Sequence, residues 1–268
     1  MIHTPDRWLS KAGLASRGEV REWIGATRLR LGGRPVRIDQ AIPSPGSSPE
    51  RMILPPFTLD SVPLVPPLPL LLLLNKPRGI LVTRLDPQGR SHIGELLRNT
   101  PWGTGSRGAI RPLGRLDRAS AGLLLLTNFP ELFSEFLDPS HKTPRTYRVQ
   151  ITPPLREKDR LLFLAGKAGE SLGYGRIGVE EEASNRRTGW LRVGLMEGKN
   201  REIRNFLEEY GYRVLHLIRT SFGPFVLSGL PPGQVIDVTG RAGEVGVEWT
   251  KWQGQGLPEN GSGGISES

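Results

Sequence analysis

The sequence predicts an α+β protein in two parts, a small basic N-terminal unit and a larger domain of short strands and a few helices. Three observations carry this expectation. The first 42 residues read as helix, turn, helix and hairpin, and nine prolines crowd the stretch from Pro43 to Pro69. From Leu70 to about Thr239, short apolar runs then alternate with amphipathic segments at helical spacing. A chain of 268 residues has room for one medium domain and one small one, each with its own core. The expected division is residues 1–42, a proline-rich linker at 43–69, a main domain at 70–252 and a disordered Gly- and Ser-rich tail at 253–268.

Thr4-Pro5 opens a helix, since proline is tolerated in a first turn, and Trp8, Leu9 and Ala12 fall on one face before Gly13 stops it. Ser16-Arg17-Gly18-Glu19 has the form of a capping box, after which Val20, Trp23 and Ile24 repeat at helical spacing. That leaves Arg17 and Arg21 together on the outward face. Arg28 to Leu31 alternates at period two, and Gly32-Gly33 ahead of Arg34-Pro35-Val36-Arg37-Ile38 predicts a tight hairpin. Residues 1–40 hold eight Lys and Arg against four Asp and Glu, a face that could hold phosphates or serve as an ordinary solvated surface.

The whole chain is also basic, with 36 Lys and Arg against 27 Asp and Glu and a net charge of +9, which makes nucleic acid the first candidate partner. There are no cysteines, so disulfides, thiolate metal sites and thiol nucleophiles are excluded. His3, His92, His141 and His216 are scattered, so no metal site is expected. No secretory signal is visible at Met1-Ile2-His3-Thr4-Pro5-Asp6. The most apolar run, Leu68 to Leu74, is far shorter than the ~20 residues of a membrane helix and reads as a buried strand. These features point to a cytoplasmic protein with no membrane partner.

One segment stands out for chemistry, RPLGRLDRASAGLLLLTN from Arg111 to Asn128. A turn at Gly114 leads into Arg115-Leu116-Asp117-Arg118, and small residues then precede the apolar run Leu123 to Leu126. Asp117 thus stands between two arginines at the mouth of a buried strand. Neighbouring positive charge can hold such a carboxylate ionised and nucleophilic, although the same pattern also suits a structural ion pair.

This segment resembles the catalytic motif of the pseudouridine synthase superfamily, specifically the ribosomal small-subunit pseudouridine synthase A type. Three further stretches match in the same order: LLLLNKPRGILVTRLDPQGR from Leu71 to Arg90, PRTYRV, and LMEGKNREIRNFLEEYGYRVLHLIRTSFGPFVLSGLPPG from Leu195 to Gly233. The stretch RWLSKAGLASRGEVREWIGATRLRLGGRPV resembles the S-four-like, or alpha-L, RNA-binding domain. The matches cover most of residues 6 to 239. Departures are Gly18 and Arg145, where a second arginine and a lysine are usual, and Phe129-Pro130 after Asn128 in place of Asp-Gly.

The resemblance implies a mixed, largely antiparallel sheet with flanking helices, and isomerisation of a uridine in ribosomal RNA. It implies Asp117 as nucleophile, Tyr147 as the aromatic surface for the flipped base, and Arg204 as the guanidinium that fixes Asp117 through two parallel bonds. Read alone, Tyr147 is equally an ordinary strand aromatic, and Arg204 a solvated helix residue. Lys11, Arg17, Arg21, Arg115, Arg118, Lys199 and Arg201 are the expected RNA contacts. One carboxylate in a closed pocket suffices for such an isomerisation, so no cofactor is expected. The implied partner is ribosomal RNA or a ribosomal assembly intermediate, met by a monomer. A glycosidase would need a second motif-linked carboxylate, and Asp86 and Glu95 read instead as turn and helix residues. A catalytically silent RNA-binding or ribosome-assembly protein on the same fold is the alternative, and the joint presence of Asp117, Tyr147 and Arg204 argues against it.

Overall fold

A computed structural model describes residues 2–43, 56–65, 67–103, 109–129, 131–164, 177–196 and 201–245. The expected tail at 253–268 and Lys199 lie outside the described residues. The elements run β1 (Ile2–His3), α1 (Pro5–Lys11), α2 (Arg17–Gly25), β2 (Leu29–Leu31), β3 (Arg34–Pro35), β4 (Ile42–Pro43), β5 (Phe57–Leu59) and β6 (Val62–Pro63). Then follow β7 (Leu71–Lys76), α3 (Ile93–Arg98), β8 (Arg111–Pro112), β9 (Ala121–Thr127), α4 (Glu131–Leu137), β10 (Arg145–Thr152) and α5 (Glu157–Leu164). The chain continues with β11 (Gly178–Ser184), β12 (Gly189–Leu195), α6 (Glu202–Glu209), β13 (Arg213–Phe222), β14 (Phe225–Val226) and β15 (Val235–Asp237).

The N-terminal unit begins as its sequence dictates. Thr4 caps α1, and Gly13, at φ +71, breaks it. Ser16 and Glu19 form the reciprocal capping box of α2. Gly32 and Gly33, both at positive φ, close the β2–β3 hairpin. The expected linker is corrected, because part of it folds. β5 pairs with β2 and β6 with β5, completing a four-stranded sheet in the order β3-β2-β5-β6, and β4 pairs with β1. Phe57 is buried against Trp8, with ring centroids 5.7 Å apart, so the unit extends to about Leu64 rather than ending at residue 42. The prolines obscured this in sequence, yet Pro35 and Pro63 sit on the edge strands β3 and β6, where a missing N–H is tolerated.

The main domain is built on a nine-stranded sheet in the order β11-β12-β10-β13-β9-β7-β15, with β14 on β13 and β8 on β9. Each pairing is antiparallel except β9 with β13, the seam that joins the two halves. β7 and β9 are leucine runs because both of their faces are covered. Leu72, Leu74, Leu124 and Leu126 enter one core, and Leu71, Leu73, Leu123 and Leu125 the other. Each such leucine contributes about 1.5–3 kcal/mol by leaving water. α6 packs Ile203, Phe206 and Leu207 into the first core, as the helical spacing in its sequence requires. Among the described residues no helix is long and apolar enough to cross a membrane.

The two parts touch at the start of β8. Arg111 donates through Nη2 to the Ser10 carbonyl at 2.9 Å, and the Ala109 N–H donates to the Gly13 carbonyl at 3.0 Å. The loop that follows β8 carries Asp117.

Candidate active site

The cleft opens at the β9–β13 seam. Gly122 of β9 lies opposite Arg219 of β13 with φ +102, and a Cβ there would stand 2.3 Å from the Arg219 carbonyl oxygen. Only glycine lets the strands approach so closely. Beside the seam is a cavity of about 590 Å³ whose walls include Asp117, Tyr147, Arg201 and Arg204. Residues from three separated segments of the sequence therefore meet on one surface.

The Asp117 loop is held by its backbone. The Ser120 N–H donates to the Asp117 carbonyl at 3.0 Å, and the buried Lys76 donates through Nζ to the carbonyls of Ser120 at 2.7 Å and Pro77 at 2.9 Å. Burial lowers the Lys76 ammonium to about 8, while the charge of Asp117 acts in the opposite direction. Arg118 clamps the neighbouring loop, donating to the Gly79 carbonyl through Nε and accepting from the Gly79 N–H at its own carbonyl.

The carboxylate is held more loosely. Its Oδ2 lies 3.6 Å from Arg201 Nη1 and 4.0 Å from Arg204 Nε. The expected two-bond clamp from Arg204 is thus not formed, because its Nη1 and Nη2 turn to the carbonyls of Val214 and Ala119, each at 3.4 Å. The buried Nε has no hydrogen-bond partner among the described residues. Burial and the neighbouring Arg201 push the Arg204 guanidinium below its ordinary range, Asp117 pulls it back, and Arg78 lowers it further. Among the described residues the oxygens of Asp117 are therefore attracted by charge without being saturated by hydrogen bonds.

Tyr147 is buried on β10 directly opposite Arg219, after a register shift between Thr146 and Tyr147 that skips Thr220. Such a bulge re-aims a side chain beside a site. Arg115 lines the cleft, whereas Arg118 is exposed beside it. In the N-terminal unit, Arg17 and Arg21 each donate through Nε to Oδ2 of the buried Asp6 at 3.0 Å. Lys11 Nζ contacts His3 Nε2 at 3.0 Å. Lys76, Arg145, Glu202, Arg219 and Phe222 escaped the sequence reading as site residues. Arg219 had a legible signal, because it shares the inward parity of Leu217 in its strand. Among the described residues no group of His, Asp and Glu is placed to hold a metal ion.

A carboxylate beside a buried aromatic ring, in a cleft rich in arginine, suits covalent chemistry on a polyanionic substrate. Residues 70–209 match the family described as RNA pseudouridylate synthase. The chain is 34% identical over 247 residues to an uncharacterized RNA pseudouridine synthase of Mycobacterium bovis, with 89% of each covered. It is 37% identical over 168 residues to one of Rickettsia bellii, covering 61% of this chain and 68% of that one. It is 28% identical over 235 residues to the dual-specificity RNA pseudouridine synthase RluF of Escherichia coli, covering 87% and 74%. A solved pseudouridylate synthase shares the fold, with a TM-score of 0.55 at 19% identity over 91% of this chain and 98% of its own. The chain belongs to the RNA pseudouridine synthase family and is an enzyme of that class, an isomerase that modifies RNA.

Proposed function

We propose that this enzyme converts a uridine of ribosomal RNA to pseudouridine with Asp117 as nucleophile, in the manner of the ribosomal small-subunit pseudouridine synthase A type. The observation that carries the proposal is the meeting of Asp117, Tyr147 and Arg204 around one cavity large enough for a flipped nucleotide. Tyr147 supplies the face on which the base rests, while Arg204 and Arg201 stand beside Asp117 as its charge partners. The C1′–N1 bond breaks, the ring turns within the cleft, and C5 bonds to C1′ as its proton is lost and N1 gains one. Atoms and charge balance without a cofactor.

The N-terminal unit acts as an S-four-like domain that docks structured RNA through Arg17, Arg21 and Lys11. Arg115 and Arg118 extend the basic surface at the cleft, and Lys199 is a further RNA contact. Flipping the uridine costs a few kcal/mol, which phosphate contacts and stacking offset. A cytoplasmic monomer acting on ribosomal RNA or an assembly intermediate fits the basic, cysteine-free composition. Mapping pseudouridines in ribosomal RNA from cells with and without the gene tests this reading. One position should lose its modification and regain it when the intact chain, but not Asp117→Asn, is restored; an unchanged map would end the ribosomal assignment.

A further inference from the structure

Five arginines line the cleft, Arg115, Arg145, Arg201, Arg204 and Arg219, against two carboxylates, Asp117 and Glu202. Arg201 and Arg204 face Asp117. Glu202 acts on Arg145, whose guanidinium also donates to the carbonyls of Thr143, Met196 and Phe136. Arg219 is different. It is 2% exposed, and the groups that act on it electrostatically are Tyr147 and Arg145, neither of them a carboxylate. Its Nε donates to the Leu123 carbonyl at 2.7 Å, and its Nη2 has no acceptor among the described residues. Arg219 and Arg145 both lie over the Phe222 ring, each 4.7 Å from its centroid. Joining the strands explains the Nε bond and the stacking on Phe222. It does not explain a buried, uncompensated cation with a spare donor in the wall of a reaction cleft.

We propose that Arg219, seconded by Arg145, is the electrostatic partner of the uracil ring while that ring carries negative charge. This deepens the uridine-isomerisation reading and rests on it. When the C1′–N1 bond breaks, its electron pair leaves with the base, which stays anionic until C5 bonds to C1′, the C5 proton departs and N1 is protonated. Attack of Asp117 on the ring instead also places the charge on the base. In either case the charge develops beside Tyr147 at the buried end of the cleft, where a fixed cation requires no reorganisation as the reaction proceeds. A backbone phosphate is served instead by the more exposed Arg115 and Arg201 at the rim. Arg219 is then a catalytic residue that acts on the transition state more than on RNA binding.

The test uses the unmodified full chain and three probes measured by calorimetry: uracil, barbiturate (a uracil-shaped ring that is anionic at neutral pH) and inorganic phosphate. Barbiturate should bind at least tenfold more tightly than uracil and should compete with substrate RNA, while phosphate should do neither. Arg219→Gln should keep its RNA Kd within about twofold, lose a hundredfold or more in single-turnover rate, and bind barbiturate no better than uracil. Arg219→Lys should recover part of both. Equal binding of uracil and barbiturate by the unmodified chain overturns the inference, as does phosphate competing as well as barbiturate, or a folded Arg219→Gln enzyme at normal rate. If Arg219→Gln fails to fold, the probe series on the unmodified chain decides alone. Absence of pseudouridine from reactions of the unmodified chain would instead overturn the parent reading, and it is seen before any probe is added.

Discussion

The N-terminal unit and the cleft each hold an aspartate between two arginines, and the two arrangements are inverted. Asp6 has a side chain only 2% exposed, and it receives Arg17 and Arg21 at 3.0 Å while their side chains remain about half exposed. Asp117 is 35% exposed and lies 3.6–4.0 Å from Arg201 and Arg204, the latter only 11% exposed. In the first case the acid is consumed as a structural anchor. Burial alone would raise its carboxyl, but hydrogen bonds from Thr4 and Arg17, the charge of Arg17 and the Arg7 N–H bring it down to about 2. Its arginines keep their outer N–H groups for another anion. In the second case the buried group is a cation, and the acid is the group left available. The same residue types thus make a cationic surface in one place and an accessible carboxylate in the other, according to which partner is buried.

Substitutions that break each arrangement should fail differently. The largest effect is expected from Asp117→Asn, which keeps shape but removes the charge and the nucleophile. Conversion should fall by roughly three orders of magnitude or more, with RNA affinity and melting temperature retained. A folded variant that converts uridine at the normal rate would show Asp117 to be as structural as Asp6.

Arg204→Lys should come next, with turnover lowered roughly ten- to a hundredfold, because an ammonium cannot reach Asp117 and the carbonyls of Val214 and Ala119 together. Single-turnover kinetics with RNA in excess would separate this from weaker binding. Replacing both Arg17 and Arg21 by Gln should weaken RNA binding uniformly across sequences and reduce the slope of log K against log salt by about one per arginine. Turnover at saturating RNA should suffer far less, and an unchanged salt slope would assign that face to a different partner.

The smallest effect belongs to Asp6→Asn, expected to cost about 1–2 kcal/mol once its half-exposed partners are allowed for. The folded carboxyl lies below its ordinary value of 3.8, so its contribution is complete above that value and fades as pH falls from near 4 towards about 2. Acid unfolding curves of the parent and Asp6→Asn should therefore converge in that window. The variant should also bind RNA a few-fold more weakly, since Arg17 and Arg21 lose their common anchor.

Much of the framework was legible locally. The capping box at Ser16, the glycine pair of the first hairpin and the leucine run that became β9 each follow from short-range rules that hold wherever the segment lies. The strands at Phe57–Leu59 and Val62–Pro63 were not legible, because proline density reads as linker unless one knows that an edge position makes the missing N–H harmless. At the site, motif resemblance pointed to Asp117, Tyr147 and Arg204, while Lys76, Arg219 and Glu202 passed unnoticed although they lie in stretches that resemble the family.

The sequence by itself determined the helices and strands that carry a cap or a clear period, where the excess positive charge lies and which aspartate stands at the mouth of a buried strand. These follow from periodicity, caps and composition, which act over a few residues. Only the tertiary structure decided that Arg201 stands nearer to Asp117 than Arg204 does, that Asp6 is a buried anchor, and that Arg219 is sealed beside Tyr147. Burial and charge pairing depend on what the rest of the fold brings within a few ångströms. The parallel seam at Gly122 and Arg219 joins residues 97 positions apart, a contact that no local pattern encodes.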